Sequence, residues 1–149
     1  MSGEVQDTVE FRILTIDSSE YDEYLALRNE VLRKPLGLEF TPEEMLREPS
    51  CIHIAGYLAN NLCMTLALVP EGAKLKMIQV ATKPGLERRG IGSAALAFCE
   101  RYCLERGIRE IYCHARETAI PFYLRSGYVT EGENYILVGI PHVTMRKRF

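Results

Sequence analysis

The chain predicts a mixed α/β (α+β) fold built around one sheet. Three observations carry that expectation. Branched, alternating segments bounded by turn residues read as short strands, and they are interleaved with stretches whose apolar residues recur at helical spacing. A strand–loop–helix passage with a glycine-rich entry sits past the middle of the chain. No repeat, low-complexity tract or linker interrupts the 149 residues. A chain of about 150 residues buries roughly 70% of its unfolded surface, so residues 1–149 are expected to form a single domain.

Val9 to Ile16 alternates and is rich in branched residues, which predicts the first strand. Asp17, Ser18 and Ser19 then offer helix N-caps. Tyr21, Tyr24, Leu25, Val31 and Leu32 keep helical spacing to about Leu32, and Arg28 falls inside that apolar stripe. Thr41-Pro42-Glu43-Glu44 is a second start signal, a capping box with proline at the first helical position. Cys51 to Leu58 and Leu62 to Val69 predict strands joined by an Asn60-Asn61 turn, which tolerates positive φ. Pro70-Glu71-Gly72 turns the chain into a strand from Lys74 to about Thr82.

Gly90-Ile91-Gly92 opens a helix from Ser93 to about Arg106, capped by Gly107. Glu110 to Ala115 is another strand, and Thr118 to Ser126 a short helix ended by Gly127. Tyr128 to Phe149 gives two more strands, broken at Gly139-Ile140-Pro141. The order is β-α-α-β-β-β-α-β-α-β-β.

Charge and cysteine content narrow the partners. Lys plus Arg number 18 against 20 Asp plus Glu, a net charge of -2, so no sequence-wide basic field attracts nucleic acid or an anionic membrane. Cys51, Cys63, Cys99, Cys103 and Cys113 are an odd set inside apolar runs, as reduced core cysteines are. Cys99 and Cys103 share a helix face, but no CxxC pair or nearby histidine completes a zinc spacing, and no metal is expected. MSGEVQDTVE lacks the charged-then-apolar order of a signal peptide, and the longest apolar stretches, such as Leu66 to Val69, are far short of ~20 residues. The expectation is a cytoplasmic, reduced protein without a membrane or nucleic-acid partner.

Chemistry concentrates in Val80 to Ser93. There a strand enters a loop, and the loop enters a helix whose first turn carries two glycines beside Arg88 and Arg89. Glycines let consecutive N–H groups approach an anion, the helix end adds its positive dipole, and guanidinium groups suit phosphate. The passage reads as a pyrophosphate cradle. A plain helix entry with two solvated arginines is the bland alternative. Gly90-Ile91-Gly92-Ser93-Ala94-Ala95 also fits a dinucleotide fingerprint, but that motif wants its first glycine directly after a strand.

These residues resemble the GNAT acetyltransferase superfamily. Gln79 to Leu96 looks like its acyl-CoA motif, and Ala119-Ile120-Pro121-Phe122-Tyr123-Leu124-Arg125-Ser126-Gly127-Tyr128 like its second motif. Gly139-Ile140-Pro141-His142-Val143-Thr144-Met145 and Leu27-Arg28 through Gly37 are similar to a small bacterial subset called ElaA-like. The resemblance implies a single-domain GNAT fold, a mixed, mostly antiparallel sheet of about seven strands flanked by about four helices. Two positions depart from the family pattern: Glu87 stands at the Q/R position, and Arg116 where many relatives carry Asn.

That resemblance implies transfer of an acetyl group from acetyl-CoA to a primary amine by direct attack. A lysine-like amine of pKa about 10.4 is neutral only ~0.04% of the time at pH 7, a penalty near ~4.6 kcal/mol, so a base or a desolvated site must address it. Tyr123 matches the family tyrosine that protonates the departing sulfur, with a core aromatic as the alternative. Backbone groups of Val80, Ala81 and Thr82 are implied along the pantetheine arm, and Arg88, Arg89, Gly90, Ile91, Gly92 and Ser93 around the diphosphate.

His114 and His142, on strands that are antiparallel neighbours in the family sheet, are the implied bases, with a water chain as the alternative. His53 reads as a core or interface residue. Gln79 and Arg28 are the acceptor-side candidates. Arg28 could hold a substrate carboxylate or phosphate, or pair with one of the chain's own acids. The competing functions are a non-catalytic acyl-CoA-binding or sensor domain, and transfer of another acyl group. The acceptor would be a small-molecule or peptide amine, and a homodimer is an open alternative to a monomer.

Overall fold

The computed structural model describes residues 8–39 and 41–149. The start of the polar stretch read for a signal peptide, residues 1–7, lies outside them. The elements are β1 (Glu10–Leu14), α1 (Tyr21–Leu32), α2 (Pro42–Arg47), β2 (Ile52–Leu58), β3 (Asn61–Glu71), β4 (Lys74–Thr82), α3 (Ile91–Glu105), β5 (Glu110–Arg116), α4 (Ile120–Arg125), β6 (Val129–Leu137) and β7 (Ile140–Arg148). This is the order the sequence predicts. The seven strands make one mixed sheet in the order β1-β2-β3-β4-β5-β7-β6. β4 and β5 run parallel, whereas β1/β2, β5/β7 and β6/β7 are antiparallel.

The chain divides into two compact units. One holds the chain up to Ala67 together with Gln79–Ala95, and the other Leu68–Ile78 and Leu96–Phe149. In the first, α1 lays Tyr21, Tyr24 and Leu27 onto Leu14, Ala55, Tyr57 and Leu62. Tyr24 is fully buried, and its hydroxyl donates to the Leu66 carbonyl at 2.8 Å, which satisfies the polar tip of an otherwise apolar body. β1 fixes the outer strand against β2 from Glu10↔Tyr57 to Leu14↔His53.

Local chemistry decides where these elements begin. The α2 capping box forms as predicted: Thr41 accepts from the Glu44 N–H, and the Glu44 carboxylate accepts from the Thr41 N–H. None of Asp17, Ser18 or Ser19 caps α1. Its N-cap is Glu20, because the Ser18 hydroxyl accepts the Glu20 N–H and its carbonyl the Tyr21 N–H, one step too early. The β2–β3 turn is Ala59-Asn60, with φ of 48° and 65°, so Asn61 already belongs to β3.

In the second unit, β5 pairs with β7 from Glu110↔Arg148 to Arg116↔His142. Cys99, Cys103, Ile111, Cys113, Tyr123, Tyr128, Val143 and Met145 are buried there. α4 ends as predicted: Gly127 takes φ of 92°, and Tyr128 N–H returns to the Tyr123 carbonyl at 3.0 Å. The β6–β7 turn falls at Val138-Gly139, with φ of 45° and 76°, so Ile140 and Pro141 open β7 rather than break the strands. All five cysteines are buried free thiols.

Candidate active site

In the first unit the candidate residues form a continuous backbone path. Registered pairing of β4 with β5 covers Lys74↔Glu110 to Met77↔Cys113 and goes no further. Gln79 follows at φ of 56°, a conformation that a side-chain-bearing residue adopts only under local constraint. The kink re-aims Val80, Ala81 and Thr82. Lys83 N–H then donates to the Cys63 carbonyl at 2.8 Å, which fixes the start of the loop.

Within the loop Leu86 N–H returns to the Lys83 carbonyl at 3.0 Å, and Arg88 and Gly90 sit at φ of 64° and 78°. α3 starts at Ile91, two residues before the predicted Ser93, and its first intrahelical bond is Ala94 N–H to the Gly90 carbonyl at 3.0 Å. The N–H groups of Ile91, Gly92 and Ser93 therefore precede the ladder, the position that suits an anion. Arg88, Arg89 and Ser93 are exposed around them. The Glu87 carboxylate is turned back onto the Gly85 N–H at 2.9 Å. A donor set of three helix-end N–H groups and two guanidinium groups fits a diphosphate.

The second unit holds Tyr123, His114 and His142. Tyr123 is buried, with its ring against Phe122 at 5.0 Å and Tyr128 at 5.3 Å. The Cys113 sulfur lies near enough to act electrostatically on the Tyr123 hydroxyl. Burial first, and the Cys113 sulfur after it, push the phenol well above the usual tyrosine range, so it keeps its proton at neutral pH. Burial likewise pushes the Cys113 thiol up to about 12.

His114 faces Thr144 and Arg116 faces His142 across β5 and β7. The two histidines are therefore two positions apart in register and share a sheet face. Tyr135 on β6 joins them. Its hydroxyl is hydrogen-bonded to His114 Nδ1 and to Thr144 Oγ1, and its ring stacks on His142 at 6.4 Å and 17°. His142 is buried, and its Nδ1 donates to the Ile140 carbonyl at 2.7 Å, so the neutral ring carries its lone pair on Nε2. His114 is exposed, and burial of part of its ring, with the charges of Lys76 and His142, holds its pKa below the usual value.

Arg28 is fully buried on α1, and its guanidinium meets Glu48 at 2.8 Å. Of the two readings weighed for it, the internal ion pair is present. His53 is a core residue as expected. Its Nε2 donates to the Glu48 carbonyl at 2.7 Å, Nδ1 meets the Tyr24 hydroxyl at 3.1 Å, and burial lowers its pKa.

Sequence reasoning missed three residues. Tyr135 sits in a polar strand and gains meaning only through the β6/β7 register. Cys113 reads as a reduced core thiol, and nothing in the sequence sets Glu48 apart from the chain's other acids. Among the described residues no cluster could hold a metal ion, and no helix is long and apolar enough to cross a membrane.

A family model described as an acetyltransferase (GNAT) domain matches residues 41–149. A Bacillus subtilis (strain 168) protein described as an acetyltransferase is 31% identical over 114 residues, 76% of this chain and 77% of its own length. Escherichia coli ElaA superposes with a TM-score of 0.78 at 17% identity, over 95% of this chain and 100% of that one. The PaiA N-acetyltransferase of Thermoplasma acidophilum, solved in complex with coenzyme A, gives a TM-score of 0.75 at 15% identity, over 95% and 99%. At these identities the two structures speak for the fold.

Proposed function

The chain belongs to the GNAT acetyltransferase family, and from that premise we propose that it moves an acetyl group from acetyl-CoA to a primary amine by direct attack. The observation that carries this reading is the α3 entry, where three unladdered N–H groups and two arginines meet the needs of a CoA diphosphate. A fold relative solved with coenzyme A supports CoA as the carrier. The backbone of Val80, Ala81 and Thr82, re-aimed by the Gln79 kink, is assigned to the pantetheine arm and acyl carbonyl. Fixed dipoles there would polarise the thioester.

In the reaction, the amine nitrogen bonds to the acyl carbon and the carbon–sulfur bond breaks. The sulfur leaves with a proton from the Tyr123 hydroxyl, and the surplus amine proton passes to a histidine. His142 Nε2 and His114 are the assigned acceptors, the first supported by its tautomer and the second by its depressed pKa. Arg28 and Gln79 are assigned to the acceptor side. Residues 1–149 are taken as one catalytic domain. Five buried free thiols suit a reducing, cytoplasmic setting.

One observation favours a second reading, a non-catalytic acyl-CoA binder: the Tyr123 hydroxyl is buried beside the Cys113 sulfur, and both hold the phenol well above the usual tyrosine range. Incubation with acetyl-CoA and a panel of primary amines, read by mass spectrometry, separates the two. An N-acetylated amine supports the transferase, and CoA binding without product from any amine supports the binder.

A further inference from the structure

β5 alternates strictly in the second unit. Ile111, Cys113 and Ala115 are buried on one face, and Tyr112, His114 and Arg116 stand on the opposite, more open face. Arg116 ends the strand with an extended backbone, directly opposite His142 on β7, and His114 lies two positions before it. Side chains opposed across antiparallel strands have Cβ atoms roughly 5 Å apart. The half-buried Arg116 side chain therefore stands beside the two rings assigned to the amine proton.

Among the described residues the Arg116 guanidinium has no hydrogen-bond or ion-pair partner. The acids around it are committed elsewhere. Glu117, next in sequence, accepts from the Asn134 amide at 3.2 Å, and Glu71 accepts from the Tyr112 hydroxyl at 2.7 Å. Glu110 and Glu131, farther along the same face, are paired with Arg146 and Arg148. A half-buried guanidinium has given up part of its hydration and holds several donors in a planar fork, so it calls for an acceptor pair.

Charge narrows the acceptor. Lys76, in register with Tyr112, adds a second cation on this face, and after burial its charge does most to hold the His114 pKa down, with Glu71 opposing it. An amine reaches this face largely as an ammonium ion. A simple amine or a polyamine meets like charge from Lys76 and Arg116. A carboxylate on the same molecule reverses that balance and matches the guanidinium fork with two parallel hydrogen bonds. The reacting nitrogen belongs at a histidine and the carboxylate at the side chain beside it, so the two groups must be close, as they are on one carbon. We infer that the acceptor is an α-amino acid whose carboxylate is held by Arg116. This rests on the acetyl-transfer reading and names the acceptor class for that same site.

The test gives the full chain acetyl-CoA and matched acceptors: phenylalanine, phenylalaninamide and phenethylamine, then leucine, leucinamide and isoamylamine, so that side-chain preference cancels. Rates are compared per neutral amine. We expect kcat/KM for the amino acid to exceed that for its amide and its decarboxylated amine roughly tenfold or more in both sets. Arg116→Gln should erase this advantage, mostly through KM, and leave CoA affinity and the rate with the amides unchanged, while Arg116→Lys should restore part of it. Equal kcat/KM across each set, or an advantage that survives in folded Arg116→Gln, overturns the proposal. Weaker CoA binding by Arg116→Gln with the preference intact overturns it too, since Arg116 would then belong to the cofactor. Where neither set yields product, calorimetry of N-acetylphenylalanine and its amide, with CoA present, decides. Tighter binding of the acid, lost in Arg116→Gln, supports the carboxylate site and counts against the transfer step alone, and equal binding overturns the proposal.

Discussion

His114 Nδ1 on β5 and the Tyr135 hydroxyl on β6 share a hydrogen bond that spans the intervening strand β7. Thr144 on β7 lies beneath it and bonds the same hydroxyl at 3.0 Å. When Tyr135 donates to Thr144, it can accept only from a protonated Nδ1, and the His114 lone pair then sits on Nε2. The arrangement would prepare His114 to take a proton at one nitrogen while the other is held.

Tyr135→Phe keeps the ring that stacks on His142 and removes the hydroxyl. If His114 is the base, kcat should fall roughly tenfold and the acidic limb of kcat/KM should move, with KM for acetyl-CoA unchanged. A nitrogen-detected histidine spectrum should show the His114 tautomer lost. An unmoved acidic limb with a changed tautomer would remove His114 from the reaction while leaving the hydrogen bond real.

Tyr123→Phe keeps the packing against Phe122 and Tyr128. An acid at the sulfur matters only as charge develops there, so kcat should fall roughly 10²-fold with KM for acetyl-CoA nearly constant. Retention of most of kcat in a folded variant, with chemistry limiting, would show that the tyrosine is structural.

Gly92→Asp puts a carboxylate at the unladdered end of α3. Negative charge there competes with the diphosphate for the same N–H groups, and CoA should bind at least ~10-fold more weakly by calorimetry. Unchanged affinity in a folded variant would displace CoA from the Arg88–Ser93 loop.

Stability should depend on pH through the histidines. Burial holds His53 below 6.5, and burial with Lys76 and His142 does the same for His114. The unfolded chain therefore binds these protons more readily. The stability present above pH 6.5 is lost as pH falls through that value toward the folded pKa of each ring. Calorimetric melting should show a Tm lower by a few degrees at pH 5.5 than at pH 7.5. A flat or rising Tm on acidification would contradict it.

The element order was legible because each start and stop has a local cause: the Thr41–Glu44 box, the Gly107 and Gly127 ends, the glycines before α3. Boundaries moved where backbone competition decided them. Ser18 spent its hydroxyl on Glu20 rather than on α1, and Val138 took a positive φ that its branched side chain disfavours. The glycine-rich entry into α3 was legible for the same local reason. Tyr135, Cys113 and Glu48 were not, because their partners are His114, Tyr123 and Arg28, which are distant in sequence. Only the sheet register and helix packing bring them together.

The central claim is acetyl transfer to nitrogen, and thiol release from acetyl-CoA tests it most directly. The wild-type chain is mixed with acetyl-CoA and one of a set of primary amines or the matched alcohols, and free CoA is followed across pH 6 to 9. The account predicts amine-dependent release that rises with pH as the amine loses its proton, equal amounts of CoA and N-acetyl product, and little release with alcohols or with no acceptor. Tight CoA binding with no release above the acceptor-free rate, for every amine, would contradict it and leave an acyl-CoA binder.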